Sequence, residues 1–394
     1  MKIKNKSLVL LLALTLVGCG NQNQTKSSDT AVVENKESKE EAKETTNVKE
    51  DEDKKEEEKV EDSKQEDAKH YEANLSMLAG PTSVGAINMV EESKNGESNF
   101  TFNETIDGAP DALVPKLVSG ESDLAIIPAN LAATLYNKTE GKVKVLATNS
   151  LGVLYVVTKG DVEIKSIEDL VNYGEEILAS GKGATPEIAI NKILEENGYS
   201  SEDLNINYLA QANEAAQKLI AGEESSAASD VYKRQINYLA QANEAAQKLI
   251  AGEAKVAILP EPMVSSVLIK AEDAKVAIDL NELYEKAAGY PLISSVLVGR
   301  SEYLDTIDVD KLLETFKNSI EKAKDNSDQT ATLLEKYDIM PAPVAKRAIP
   351  NLALEYIDGD ELKEMMAKHL EDLNNTNPQL IGGSIPEDDF YFTK

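Results

Sequence analysis

Hydroxyl and amide side chains recur at three comparable places in this 394-residue chain, each where an apolar run gives way to a helical one. Leu75 to Ala79 is followed by Gly80-Pro81-Thr82-Ser83-Val84-Gly85, Asp123 to Ile127 by Pro128-Ala129-Asn130, and Glu176 to Ser180 by a glycine-rich turn ending in Thr185-Pro186-Glu187. Thr82 or Ser83, Asn130 and Thr185 are therefore expected to stand as N-caps. Capping alone would account for any one of them. Together they would present unpaired N–H groups and a partial positive charge, which suits an anionic or carbonyl group of a small solute.

Other chemistry is scarce. The single Cys, Cys19, allows no disulfide framework, and with only His70 and His369 neither a Cys-based nor a His-rich metal site is expected. No catalytic residues, metal or cofactor are expected. Both histidines are expected to be exposed. Glu91-Glu92 and Glu387-Asp388-Asp389 are expected to be solvated charges rather than acid–base pairs. Arginine occurs only at Arg234, Arg300 and Arg347, so a site built on guanidinium forks is hard to assemble. Seventy acidic against 41 basic side chains give a net charge of −29, which repels phosphate backbones and argues against nucleic-acid binding.

The elements that must position these groups alternate. Strands are expected at Leu75–Ala79, Phe100–Ile106, Asp123–Ile127, Val143–Thr148, Val153–Thr158, Glu176–Ser180, Asn205–Tyr208, Val256–Leu259, Val276–Leu280 and Ser294–Val298, with helices between most of them. From Val309 onward the chain reads as mostly helical, and the aromatic tail Phe390-Tyr391-Phe392 is expected to pack down. Such alternation implies an α/β sheet with ligands beyond the carboxyl ends of its strands.

Lys2, Lys4 and Lys6 precede an apolar run, Ser7 to Val17, too short to span a bilayer comfortably. Leu16-Val17-Gly18-Cys19 then resembles the lipobox of bacterial lipoproteins, in which the signal is cut before an acylated Cys. Cleavage before Cys19, its lipidation and an extracytoplasmic, lipid-anchored location on the bacterial cell membrane follow as expectations. Asn21 to Lys69 carries 10 Lys and 17 Asp or Glu with four Val as its only larger apolar residues, the composition of a disordered tether. Residues 1–19 are thus read as signal and lipobox, and 20–71 as tether.

Ile206 to Glu223 (INYLAQANEAAQKLIAGE) recurs letter for letter at Ile236 to Glu253. Solenoid repeats diverge and need three or more copies. Asp230 to Gln235, between the copies, back-translates as GATGTGTATAAGAGACAG, which resembles a transposase adapter of sequencing libraries. About 30 residues, 224–253 or an equivalent frame, are therefore read as an artefactual insertion that leaves the sheet–helix slot to one copy.

Five segments carry a family resemblance: GPTSVGA (Gly80–Ala86), GAPDALVPKLVSGESDLAIIPANLAATLY (Gly108–Tyr136), LGVLYVVTKGDVEIKSIEDL (Leu151–Leu170), GKGATPEIAINKILEENG (Gly181–Gly198) and AKVAILPEP (Ala254–Pro262). They are similar to the substrate-binding proteins of ABC importers, in the nitrate/sulfonate/taurine and thiamine-precursor class. The resemblance covers about residues 72–394 apart from the insert. It implies a two-lobed α/β type II periplasmic-binding-protein fold with hinge strands near Val153–Thr158 and before Val296. Lobe one would be 72–156 plus 285–394, and lobe two 157–284. It implies capture of a small polar solute by Gly80, Thr82, Ser83, Val84, Asn130, Gly152, Thr185 and Glu261, and delivery to an ABC permease and its ATPase by a monomer that meets the membrane only through its lipid. Alternatives are a lipid-anchored solute sensor and an enzyme like the thiamine pyrimidine synthase of the same superfamily, which needs His and Cys chemistry.

Overall fold

Two five-stranded mixed sheets organise the computed structural model, which describes residues 69–108, 110–209 and 242–393. In chain order the strands are β1 (Tyr71–Leu78), β2 (Phe100–Asp107), β3 (Leu124–Pro128), β4 (Val143–Leu151), β5 (Leu154–Lys159), β6 (Ile177–Ala179), β7 (Ile206–Tyr208), β8 (Val256–Pro260), β9 (Ala274–Asp279) and β10 (Ile293–Arg300). The first sheet runs β2-β1-β3-β10-β4 and the second β7-β6-β8-β5-β9. In each sheet four strands run in one direction and one, which comes directly from a change of sheet, runs against them: β10 lies antiparallel to β3 and β4, and β5 to β8 and β9.

The chain changes sheet twice, between Leu151 and Leu154 and again between the helix ending at Ala288 and Ile293. Leu154 to Thr158, expected at a hinge, is fully paired within the second sheet, so the crossing itself is Gly152-Val153.

Helices α1 (Ile87–Lys94), α2 (Pro110–Ser119) and α3 (Ala129–Lys138) cover the first sheet. The second carries α4 (Ile167–Asn172), α5 (Thr185–Glu196), α6 (242–251), α7 (Met263–Lys270) and α8 (Leu280–Ala288). Lobe one is completed by α9 (Ser301–Leu304), α10 (Val309–Asp325), α11 (Ser327–Lys336), α12 (Ala342–Ala348) and α13 (Gly359–Thr376). None of the helices among the described residues is long and apolar enough to cross a membrane.

The central strands of both sheets are buried on both faces, which explains their near-continuous apolar runs. On β3, Leu124 and Ile126 enter one core with Phe100, Phe316 and Ile320, while Ala125 and Ile127 enter another with Leu117, Val296, Met366 and Phe390. The tail packs as expected, with Phe390 edge-on to Tyr136 at 5.2 Å between centroids.

The repeat is used in a divided way. β7 comes from the first copy and pairs in parallel with β6, continued by Leu209 N–H donating to Ala179 O at 3.1 Å. The helix packed beside it, α6, comes from the second copy, burying Ala242, Ala245, Ala246 and Leu249 at helical spacing. Leu249 and its neighbours join the core of β5 and β8. Residues 242–253 therefore belong to the fold, which corrects the frame 224–253. Because the copies are identical, removing 210–239 leaves the same sequence as removing 224–253. The rest of the first copy, the signal, Cys19 and almost all of the tether lie outside the described residues.

Candidate functional site

The turn after β1 is a 3-10 turn, Pro81–Ala86, entered through Gly80 at φ 106°. That backbone favours glycine, so Gly80 is explained by geometry before any ligand. The Thr82 and Ser83 hydroxyls both donate to Leu78 O, Thr82 at 3.0 Å, folding the turn back over the strand end. Val84 has no exposed surface and lies in the lobe-one core, so its side chain cannot meet a solute. Ser83 is equally buried. Thr82 is half-buried, as is Pro81 before it.

Asn149, on β4, holds this turn from below. Its amide donates to Thr82 O at 3.2 Å and to Ser295 Oγ on β10 at 2.8 Å, and Ser295 meets Ser150 Oγ at 2.7 Å. Its Oδ1 is buried without a hydrogen-bond partner and fills the place of a side chain at Gly85.

The N-cap expectation needs correction at all three turns. The caps are Gly80, Pro128 and Ala184, none with a side-chain capping bond. Thr185 is the first residue of α5 and Asn130 the second of α3. Proline at or beside the first helical position shifted each start, since its fixed φ suits that place. Asn130 donates to Leu380 O at 3.4 Å, tying α3 to the C-terminal turn. Before Thr185, Gly181 and Gly183 take positive φ, and Gly183 N–H donates to Glu187 at 2.5 Å. Ser180, at the carboxyl end of β6, has a buried hydroxyl with no partner.

Glu261 lies buried just before α7. Only 2% exposed, it accepts from Ser265 N–H at 3.1 Å and Ser265 Oγ at 2.9 Å, at the start of α7, and its own N–H donates to Val153 O at 2.9 Å. Burial pushes its carboxyl up to about 7, against the two bonds from Ser265 and the Arg347 guanidinium and Asn351 amide of lobe one. Tyr155, whose hydroxyl donates to Asn351 O at 3.0 Å, completes this contact between lobes. Arg347 thus acts on Glu261, although it is distant from it in the chain.

Gly152 sits at the crossing against Asn281. The Asn281 side chain accepts from Leu154 N–H at 2.9 Å and donates to Leu154 O at 3.2 Å. Asn149, Asn281 and Ser180 were not singled out from the sequence. The available signals were two polar residues, Asn149-Ser150, ending an apolar strand, and the cap pattern Asp279 to Gly289 that bounds the unforeseen α8.

His369 corrects another expectation. It is 2% exposed because Leu362, Met365, Met366, His369, Leu370 and Leu373 share the buried face of α13, and burial holds its imidazole down to about 4. His70 is exposed, with Nε2 2.8 Å from Thr101 Oγ1. Glu91 and Glu92 are ion-paired with Lys336 and Lys322, joining α1 to α11 and α10. Asp388 and Asp389 engage Lys363 and Tyr136.

No known family profile and no curated protein matches the chain. Solved structures do. An ABC transporter structure from Parabacteroides distasonis is 21% identical, covering 82% of this chain and 99% of that one with a TM-score of 0.63. The periplasmic aliphatic sulphonate binding protein SsuA from Escherichia coli is 14% identical, with coverage of 82% and 92% and a TM-score of 0.55. The ligand binding component of an ABC-type import system from Staphylococcus aureus, solved with zinc bound, is 12% identical, with coverage of 82% and 97% and a TM-score of 0.55. At these identities the likeness is one of fold: the chain has the two-lobed α/β architecture of ABC-importer binding proteins.

Proposed function

We propose that the protein is an extracytoplasmic solute-binding lipoprotein, anchored through Cys19, that captures a small polar solute between its lobes and delivers it to an ABC permease and its ATPase. The observation that carries this is the double crossing, 151–154 and 288–293, between two sheets whose strand-to-helix turns end in Thr82, Asn130 and Thr185. Two lobes joined only by short crossings can close on a solute, and turns at carboxyl strand ends offer it N–H groups. Ser180, with its buried unpartnered hydroxyl, is a further contact on the lobe-two side. With no arginine in these turns, one carboxylate, sulfonate or carbonyl would rely on backbone N–H and hydroxyl groups.

Mass spectrometry of material co-purified with the chain, followed by calorimetry with sulfonates, amino acids and pyrimidines, tests the proposal. A one-to-one complex with an unaltered solute is expected. Chemical turnover of that solute, or no binding across the panel with no co-purified molecule, would overturn it.

A further inference from the structure

Away from the turns, the lobes meet at a second polar contact. Tyr284 on α8 and Tyr290 in the return crossing both lie in the lobe-two core, edge to face, with their hydroxyls 2.6 Å apart. Tyr290 then donates to Asp372 Oδ2 on α13 at 2.7 Å, so the chain of hydrogen bonds passes from lobe two into lobe one. The other oxygen of Asp372 faces Lys192 Nζ on α5 at 3.7 Å. One carboxylate of lobe one therefore receives two groups from lobe two.

The two are not equal. The Lys192 and Asp372 side chains are 37% and 27% exposed, so water weakens their attraction. Tyr290 is buried, and the buried His369 ring stands edge-on to its own with the centroids 6.3 Å apart. In that dry setting a phenol-to-carboxylate bond is the stronger tie.

Helix α5 connects this contact to the solute turn. Thr185, Ile188 and Lys192 fall at i, i+3 and i+7, on one face of the helix. Thr185 opens the helix at the turn, Ile188 packs into the lobe-one core cluster that includes Leu362, Met365 and Met366, and Lys192 reaches Asp372. A helix is rigid over these two turns, a span of about 10 Å. Unless α5 pivots about its Lys192 end, a movement that carries Thr185 away from lobe one also draws Lys192 from Asp372.

We propose that Asp372 is a positioning residue for lobe closure, at which Tyr290 and Lys192 latch lobe two onto lobe one and bias the empty protein toward the closed arrangement. This rests on the reading of the lobes as a closing pair. Losing the latch opens the empty protein and weakens solute capture without touching the solute.

The test is the inter-lobe distance distribution of the full chain without added solute, in a Cys19→Ser background. Spin labels go on cysteines replacing the exposed Glu195 and Glu364. Tyr290→Phe keeps the ring and removes only the hydroxyl. It should raise the separated population at least about threefold, the shift in equilibrium expected from one hydrogen bond. Asp372→Asn should do the same, Lys192→Met less, and Asp372→Glu should restore part of the closed population. Unchanged distances in Tyr290→Phe, with cooperative melting retained, would show a static pivot and overturn the proposal, whether or not Asp372→Asn folds. If the panel finds no solute while Tyr290→Phe still separates the lobes, the proposed function fails and the latch stands.

Discussion

Oδ1 of Asn281 lies 2.3 Å from where a β-carbon on Gly152 would stand. The lack of a side chain at 152 is what lets the Asn281 amide reach both the N–H and the carbonyl of Leu154, while Asp279 Oδ1 steadies it at 2.8 Å. Lobe two thus grips the crossing by its backbone. Gly152→Ala should displace this amide at a cost of about 1–3 kcal/mol, as overpacking does elsewhere. Urea unfolding would measure it. Asn281→Ala in the same chain should recover part of the loss, because the two substitutions share one contact. A Gly152→Ala protein as stable as wild type would show that the crossing moves aside freely.

Glu261 and His369 set opposing pH dependences. Folding raises the Glu261 carboxyl from 4.5 to about 7, so the folded state holds a proton that the unfolded state has released. Stability from this group is greatest below the unfolded value and falls as pH rises from about 4.5 to about 7. Folding lowers the His369 imidazole from 6.5 to about 4, so its contribution is absent below about 4 and grows until about 6.5. Each amounts to roughly 3 kcal/mol from the size of the shift, and between about 4.5 and 6.5 the two slopes cancel. Glu261→Gln should therefore make stability rise with pH across that window, and His369→Phe should make it fall. Denaturant midpoints at several pH values would decide. Parallel profiles for both variants would mean that neither group titrates with folding.

All ten strands of the described residues were foreseeable, most from short apolar runs and β2 from its alternation. Helix α8 was not, since LNELYEKAA buries only Leu280 and Tyr284 and its apolar signal is thin. The caps were misplaced by one to three residues because proline competes with hydroxyl residues for helix starts. The burial of Glu261 and His369 was hidden for a different reason. Pro-Glu-Pro reads as a solvated turn unless one knows that Arg347 and Asn351 arrive from another lobe. A lone His reads as polar until the helical spacing Leu362–Leu373 is laid over it.

The divided use of the repeat gives a deletion test. Only one strand and one helix of the two copies lie in the described fold, β7 from the first and α6 from the second. Removing 210–239 joins them as the sequence of either copy joins them, leaving 364 residues from 394. The shortened chain should unfold cooperatively with a midpoint at or above that of the full chain, since shortening a connection lowers its closure entropy. Loss of cooperative unfolding would assign the extra residues a structural role.

Cys19 is the only thiol of the chain, and it follows the apolar run Ser7 to Val17. Cys19→Ser should move the protein from the membrane fraction to the soluble one or leave the signal uncut. Membrane retention with a processed N-terminus would contradict lipidation, because a charged tether supplies no apolar area to hold it there.

The solute turns separate by what each side chain already does. Thr82 spends its hydroxyl proton on Leu78 O at 3.0 Å, so Thr82→Ala removes a fold contact as well as the acceptor proposed to face the solute. It should lower both melting temperature and affinity. Asn130→Ala should act mainly on stability, through Leu380 O. Thr185 opens α5 without serving as its cap, so Thr185→Ala should leave stability within about 0.5 kcal/mol of wild type, the range for a substitution that removes no packed or capping contact. Its effect should fall on affinity, about 0.5–1.5 kcal/mol for one hydrogen bond. Calorimetry with the co-purified solute, paired with thermal melts of each variant, distinguishes the three. If Thr185→Ala binds as wild type does while Thr82→Ala and Asn130→Ala lose only stability, the solute does not sit at these turns.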